Sequence, residues 1–213
     1  VKILALSDHV VSNIYSSGVQ ERFGHVDLLL SCGDLPYSYL EYVVTMLGPP
    51  ALYVHGNHDR PEYTGSGETL SRPGGWINLD GKAAKVGSLI VAGLEGSLRY
   101  KPNTPFQYTE RQMQRKIWGR LVPRLLLNRI RYGRFLDVLI THAPPRGIHD
   151  GDDLPHRGFV AFRQLMDLFH PRFLLHGHKH VYRPEHTRTQ YGATTVINVY
   201  PYKLIDTDSK EER

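Results

Sequence analysis

The chain predicts an α/β fold with mixed sheets, and three observations carry the prediction. Short apolar runs rich in Val, Ile and Leu recur along the 213 residues, each bounded by Gly, Pro, Asn or Asp. Helix-length segments separate several of these runs, which is the pattern of βαβ units. Two further pairs of runs meet at tight glycine turns, so antiparallel strands accompany the parallel ones.

The elements follow in order. Strands are expected at 2–7, 27–32 and 51–55, with a helix over 39–47 that Gly48-Pro49-Pro50 ends. Residues 82–86 and 88–92 form a hairpin about Gly87. From 111 to 121, Met113, Ile117 and Leu121 fall at i, i+4 and i+8 on one helical face, with Arg115, Lys116 and Arg120 elsewhere around it. Pro123 then opens a second short helix carrying Leu125, Leu126 and Ile130. A strand at 137–141, a helix over 159–169 before Pro171 and a strand at 172–176 come next. Residues 185–190 and 193–199 pair about Tyr191-Gly192, and the polar stretch from about 206 to 213 reads as a frayed tail.

Length and composition set limits. A chain of this size fits a single domain, 1–213, with a full core. No run of about 18 apolar residues offers a transmembrane segment, and the start at Val1 is already strand-like, which makes a cytoplasmic location the expectation. Cys32 is the only cysteine, so no internal disulfide forms; it reads as a small buried strand residue. The net charge of +5 is concentrated: residues 99–134 hold ten Lys or Arg against Glu110 alone, and the remainder has 16 basic and 20 acidic residues. This basic helical insertion is expected to be a docked helical pair with a cationic exterior. Attraction of a polyanionic substrate or nucleic acid is the second reading, and membrane-surface binding a third.

The chemistry gathers at strand ends. His176-Gly177-His178-Lys179-His180 places two imidazoles at i and i+2 after a strand and a glycine, which can aim both at one cleft. Asp8, Gly33-Asp34, Gly56-Asn57-His58-Asp59 and Thr141-His142 each follow an apolar run by a few residues. In open α/β sheets such positions share one rim, where ligands bind.

This ordered set, Asp8, Gly33-Asp34, Gly56-Asn57-His58-Asp59, His142 and Gly177-His178-Lys179-His180, resembles the five blocks of the calcineurin-like metallophosphoesterase superfamily, over nearly the whole chain. The resemblance implies two packed mixed sheets flanked by helices, a four-layer sandwich. It also implies two metal ions, roughly 3.5–4 Å apart, and a phosphoester substrate attacked in line by a metal-bridging hydroxide. By the same resemblance one metal takes Asp8, Asp34 and His180, and the other takes Asp34, Asn57, His142 and His178. Asp34 would bridge them, while Asn57 stabilises charge on phosphorus and His58 protonates the leaving oxygen. Mixed oxygen and nitrogen donors suit Mn, Fe or Zn.

One departure is visible. The family's first block is Asp-x-His, whereas here Asp8 is followed by His9 and Val10, so one ligand of the first metal is displaced or missing. His9 is a further metal candidate because it adjoins that position. Arg60 and His156 are candidate substrate contacts, Asp59 orients a ring or caps its loop, and His55, His149 and His176 complete a histidine-dense rim. The expected activity is that of a phosphodiesterase or small-phosphoester phosphatase. Two alternatives remain: a noncatalytic interaction scaffold on the same fold, similar to the retromer scaffold protein, and a nucleic-acid phosphodiesterase using the basic helices. The oligomeric state is not legible.

Overall fold

A computed structural model describes residues 1–63, 65, 67–181 and 187–208. In chain order the elements are β1 (Lys2–Leu6), α1 (Val19–Phe23), β2 (Leu28–Ser31), α2 (Tyr37–Leu47), β3 (Ala51–Tyr53), β4 (Glu62–Tyr63), β5 (Thr69–Leu70), β6 (Ile77–Asn78), β7 (Lys82–Val86) and β8 (Leu89–Leu94). Then come β9 (Ser97–Leu98), β10 (Gln107–Tyr108), α3 (Glu110–Lys116), a π-helical turn (Ile117–Leu121), α4 (Val122–Tyr132) and β11 (Val138–Thr141). A 3-10 turn (Leu154–His156), α5 (Val160–Phe169), β12 (Phe173–His176), β13 (Arg188–Tyr191), β14 (Thr194–Asn198) and β15 (Tyr202–Asp206) complete the described chain.

Two mixed sheets dominate. One runs β15-β1-β2-β3-β6 and the other β13-β14-β12-β11-β8-β7, with β15, β13 and β7 the antiparallel edges. Strand alternation sorts their side chains into layers. Ile3, Ala5, Leu28 and Leu30 of the first sheet meet Val91, Val138, Ile140 and Leu175 of the second in one apolar layer. Their neighbours Leu4, Leu6 and Leu29 face the other way, onto Val19, Phe23, Tyr39 and Val43 of α1 and α2. Ile90, Leu139 and Leu174 face Met113, Leu121, Phe162 and Leu165 of α3 to α5 and the π turn. Helices, sheet, sheet and helices therefore stack in four layers, as expected from the sequence.

Local chemistry explains several boundaries. Helix α2 starts at Tyr37 rather than 39 because Pro36 caps it and the Glu62 carboxylate accepts the exposed N–H groups of Tyr37 and Ser38, the latter at 3.2 Å. The two helices read around 111–132 are one continuous run, joined by the π turn that carries Ile117 to Leu121. Met113, Ile117 and Leu121 are buried as their spacing requires, and so is Leu125, but Leu126 and Ile130 face solvent. The second hairpin forms from 188 onward; its first residues, 185 and 186, lie outside the described chain.

The tail begins later than the polar composition suggests. Asp206 closes β15 opposite Lys2, and the Thr207 N–H donates to Val1 O at 3.0 Å. The edge pairing uses backbone groups, so polar side chains do not prevent it; 209–213 are outside the described residues. Cys32 is fully buried between the sheets, and burial pushes its thiol pKa up. No described helix is long and apolar enough to cross a membrane.

Candidate metal centre

The five blocks meet on one rim, at the carboxyl ends of β1, β2 and β3 in one sheet and β11 and β12 in the other. Asp8, Asp34 and His178 leave their strands with φ of 62, 58 and 65°, a left-handed conformation uncommon for non-glycine residues. The adjoining glycines supply room rather than freedom. A Cβ on Gly56 would lie 1.9 Å from Asp34 Oδ1, and one on Gly177 would lie 1.7 Å from Ser7 Oγ and 2.3 Å from Asp8 Oδ2. Neither position tolerates a side chain while the carboxylates hold their places.

At the centre four lone-pair atoms converge. His142 Nε2 lies 2.9 Å from Asn57 Oδ1, 3.2 Å from Asp34 Oδ2 and 3.1 Å from His178 Nδ1. The opposite nitrogen of each ring is tied to main chain: His142 Nδ1 donates to Cys32 O at 2.8 Å, and His178 Nε2 to Pro155 O at 2.6 Å. Those carbonyls fix the tautomers and leave both inner nitrogens as acceptors, the arrangement that orients metal-ligating imidazoles. With bonds of about 2.0–2.2 Å, ligands of one cation sit roughly 3 Å from each other, and that is the spacing of the other three atoms from His142 Nε2. The residues present fit a divalent cation. Among the described residues, Asp34, His142 and His178 form the one group of three or more acidic, His or Cys side chains so arranged.

The electrostatics agree with a cation-seeking pocket. Burial alone would raise the Asp34 carboxyl, yet His142 holds it down to about 2. Burial would likewise lower His142, but Asp34 lifts it to about 9. Burial and then the His142 charge push His178 down to about 4. Asp59 accepts the Gly56 N–H at 2.8 Å and so caps its loop rather than orienting His58; burial and then Asp34 raise it to about 6.

Asp8 and His180 form a looser pair beside this cluster. Asp8 Oδ2 accepts from Ser7 Oγ and from the His178 N–H at 2.8 Å, while Oδ1 lies 3.8 Å from His180 Nε2. The His180 ring is half exposed and stacks on Tyr200 with centroids 4.4 Å apart. His9 is exposed, its ring 6.5 Å from Tyr200, and it makes no ion pair with a described carboxylate. Val10 packs into the apolar layer beneath α1 and α2. The place where the resemblance expects a histidine thus points into the core.

Two open clefts adjoin the centre. One, of about 290 Å³, is lined by Asp34, His58, Asp59 and Arg60 among others, with the His58 N–H donating to Asp34 Oδ1 at 2.8 Å. The other, of about 270 Å³, is lined by His156, His178, Lys179 and His180. His156 sits there with Nδ1 2.6 Å from Asp153 Oδ2 and its ring 5.4 Å from that of His178. His149 bridges Thr189 and the buried His176 at 2.8 and 3.0 Å, and neither imidazole belongs to the group of Asp34, His142 and His178. Burial lowers both, His149 to about 4 and His176 to about 3.

Three contributors escape a reading of the sequence. Tyr100 OH accepts from Asn57 Nδ2 at 3.1 Å and so turns Asn57 Oδ1 toward the cluster. Glu95 Oε2 holds His55 Nδ1 at 2.9 Å, directly before the Gly56-Asn57 loop. Lys116 lies buried between Asp80 Oδ1 at 2.9 Å and Glu95 Oε1 at 3.1 Å, and over the Tyr108 ring. It is a strut rather than part of a cationic exterior, and Arg120 is also spoken for by Asp80 at 3.4 Å. Glu95 carried a signal, since Leu94-Glu95-Gly96 repeats the pattern of a carboxylate beside glycine at a strand end. Lys116 and Tyr100 carried none.

The chain is similar to known proteins. The family model for calcineurin-like phosphoesterases matches residues 1–182. An uncharacterized protein of Methanocaldococcus jannaschii is 26% identical over 99% of this chain and 93% of its own length. Among solved structures, TT1561 of Thermus thermophilus superposes with a TM-score of 0.60 at 16% identity, covering 93% of this chain and 88% of that one. GAP50, the anchor in the inner membrane complex of Plasmodium, has a TM-score of 0.53 at 13% identity, covering 93% and 70%. At these identities the solved structures bear on the fold alone.

Proposed function

The chain belongs to the calcineurin-like phosphoesterases, and from that premise we propose that it is a two-metal hydrolase acting on phosphodiesters or other small phosphoesters. The family's general chemistry is metal-dependent phosphoester hydrolysis. The observation that supports this use of the site is the convergence of Asp34 Oδ2, Asn57 Oδ1 and His178 Nδ1 on His142 Nε2, each within about a ligand-to-ligand distance of that nitrogen. Asp34, Asn57, His142 and His178 would hold one cation, and Asp8, His180 and Asp34 the other. The mixed donors suit Mn, Fe or Zn.

Bound cations supply positive charge that stabilises the phosphoryl oxygens and lowers the pKa of water. The chain supplies the rest. Asp34 turns Oδ2 to His142, while its Oδ1 is held by the His58 N–H. Asn57, braced by Tyr100, aims its amide oxygen inward. His58 stands on the exposed wall of the first cleft, where an imidazole delivers a proton to a departing alkoxide. Arg60 on the same wall meets a phosphate oxygen, and His156 faces the substrate from the second cleft. Clefts on both the Asp34 and His178 sides favour a substrate with an organic group on each side of phosphorus, which is a diester.

Metal-free protein reloaded with Mn²⁺ and assayed on a bis-ester and a mono-ester of one chromophore tests the reading. Faster turnover of the bis-ester, lost on chelation, is expected. Tight metal binding without hydrolysis of either ester would instead favour a noncatalytic scaffold on this fold, a reading to which Val10 in place of the family histidine lends weight. A nucleic-acid phosphodiesterase would show steep salt dependence of substrate binding.

A further inference from the structure

Helix α4 is apolar on two sides. Val122 and Leu125 are buried against the sheet, and at 100° per residue Pro123, Leu126, Leu127 and Ile130 fall on the outer side. Leu126 is 51% exposed, Leu127 43% and Ile130 82%. Single exposed apolar residues are ordinary, but a contiguous stripe on one helix calls for an occupant. Arginines flank it. Arg124 and Arg131 are exposed beside it and make no ion pair with a described carboxylate, whereas Arg129 turns to the Phe135 ring; no Asp or Glu occurs between Glu110 and Asp137.

We propose that this outer face of α4 docks on the anionic surface of a lipid bilayer. Charge selects the occupant. A second copy of the chain would bring its own arginines against these, which like charges oppose. A nucleic acid would neutralise the arginines but offers nothing for protruding Leu126 and Ile130, since base stacking needs aromatic faces. A bilayer interface accommodates both at once, with aliphatic side chains entering the boundary between headgroups and acyl chains while guanidinium groups lie among the phosphates. The stripe is part of a helix already anchored by Val122, Leu125 and the preceding Leu121, so docking requires no folding step.

Co-sedimentation of the full chain with vesicles tests the proposal. Vesicles of equal parts phosphatidylcholine and phosphatidylglycerol should bind at least about tenfold more tightly than phosphatidylcholine alone. Replacing Leu126→Ser and Ile130→Ser together leaves the charge unchanged and should weaken binding to the mixed vesicles about tenfold. Arg124→Gln with Arg131→Gln should weaken it roughly 20–30-fold. If the apolar double variant melts lower than the parent, Ile130→Ser alone carries the test, because that side chain is 82% exposed. No sedimentation with the mixed vesicles overturns the proposal. So does binding that ignores the serine substitutions, which is adsorption by charge alone. Equal affinity for soluble poly-glutamate, lost in the same variants, would assign the face to an acidic protein partner instead.

Discussion

The two halves of the rim differ in how firmly they are built. Around His142 the candidate ligand atoms are buried, lie 2.9–3.2 Å from its inner nitrogen, and are braced by Cys32, Pro155 and Tyr100. Around Asp8 the partner imidazole is half exposed, 3.8 Å away, and supported by one stacked tyrosine. The lesson is that bracing, not ligand count alone, separates a tight site from a loose one: pre-positioned donors lose less freedom when a cation arrives.

The sharpest way to break this comparison is at Asp34, the residue proposed to serve both halves. Asp34→Asn should abolish hydrolysis and lower total bound metal, because an amide cannot neutralise two cations as a carboxylate does. Elemental analysis showing normal metal together with normal turnover would refute the bridge. His58→Ala, in contrast, touches neither half. It should retain metal and slow turnover by on the order of 10²–10⁴, and the loss should shrink with a leaving group that is already a stable anion.

The bracing itself can be removed. Glu95, despite burial, is held down to about 2 by His55, Lys116 and Tyr108. A carboxyl depressed in the folded state stabilises it above its unfolded pKa and stops doing so as pH falls through the folded value, so this contribution should fade between about pH 4.5 and 2. Lys116→Met should destabilise the protein at neutral pH by about 3–5 kcal/mol, by stranding Asp80 and Glu95 without their cation. Denaturant melts across that pH range check both statements; identical curves for parent and variant would remove Lys116 from the bracing.

The smallest effects belong to the loose half. Calorimetric titration with Mn²⁺ should resolve two steps, and His180→Ala should erase or weaken about tenfold only the weaker. His9→Ala should leave both steps nearly unchanged, since its ring is beside Tyr200 rather than a carboxylate. If His9→Ala removes the weaker step, His9 is the displaced ligand and Val10 marks no gap.

Much of this was legible in the chain, for physical reasons that can be named. Short apolar runs, bounded by Gly, Pro, Asn or Asp, located the strands and hence the rim, because the chemistry of an α/β protein collects where parallel strands end. What escaped was whatever depends on distant segments meeting. Lys116 reads as one more surface cation until β8 brings Glu95 beneath it, and Leu126 and Ile130 read as core until α4 is seen to turn only Val122 and Leu125 inward. The edge strand β15 went unassigned because its pairing with β1 is made by backbone groups that no side-chain pattern announces.

The origin of the four converging atoms has a mechanical consequence. Asp34 and Asn57 come from the ends of β2 and β3 in one sheet, and His142 and His178 from the ends of β11 and β12 in the other. A cation held by all four is a rivet through the open edge of the sandwich, where apolar contact between the sheets runs out and loops begin. Its binding free energy becomes resistance to parting the sheets, growing with the logarithm of free metal over the dissociation constant. At 100 times that constant the rivet adds about 2.7 kcal/mol, and heating or a protease should open the stripped protein first along this seam.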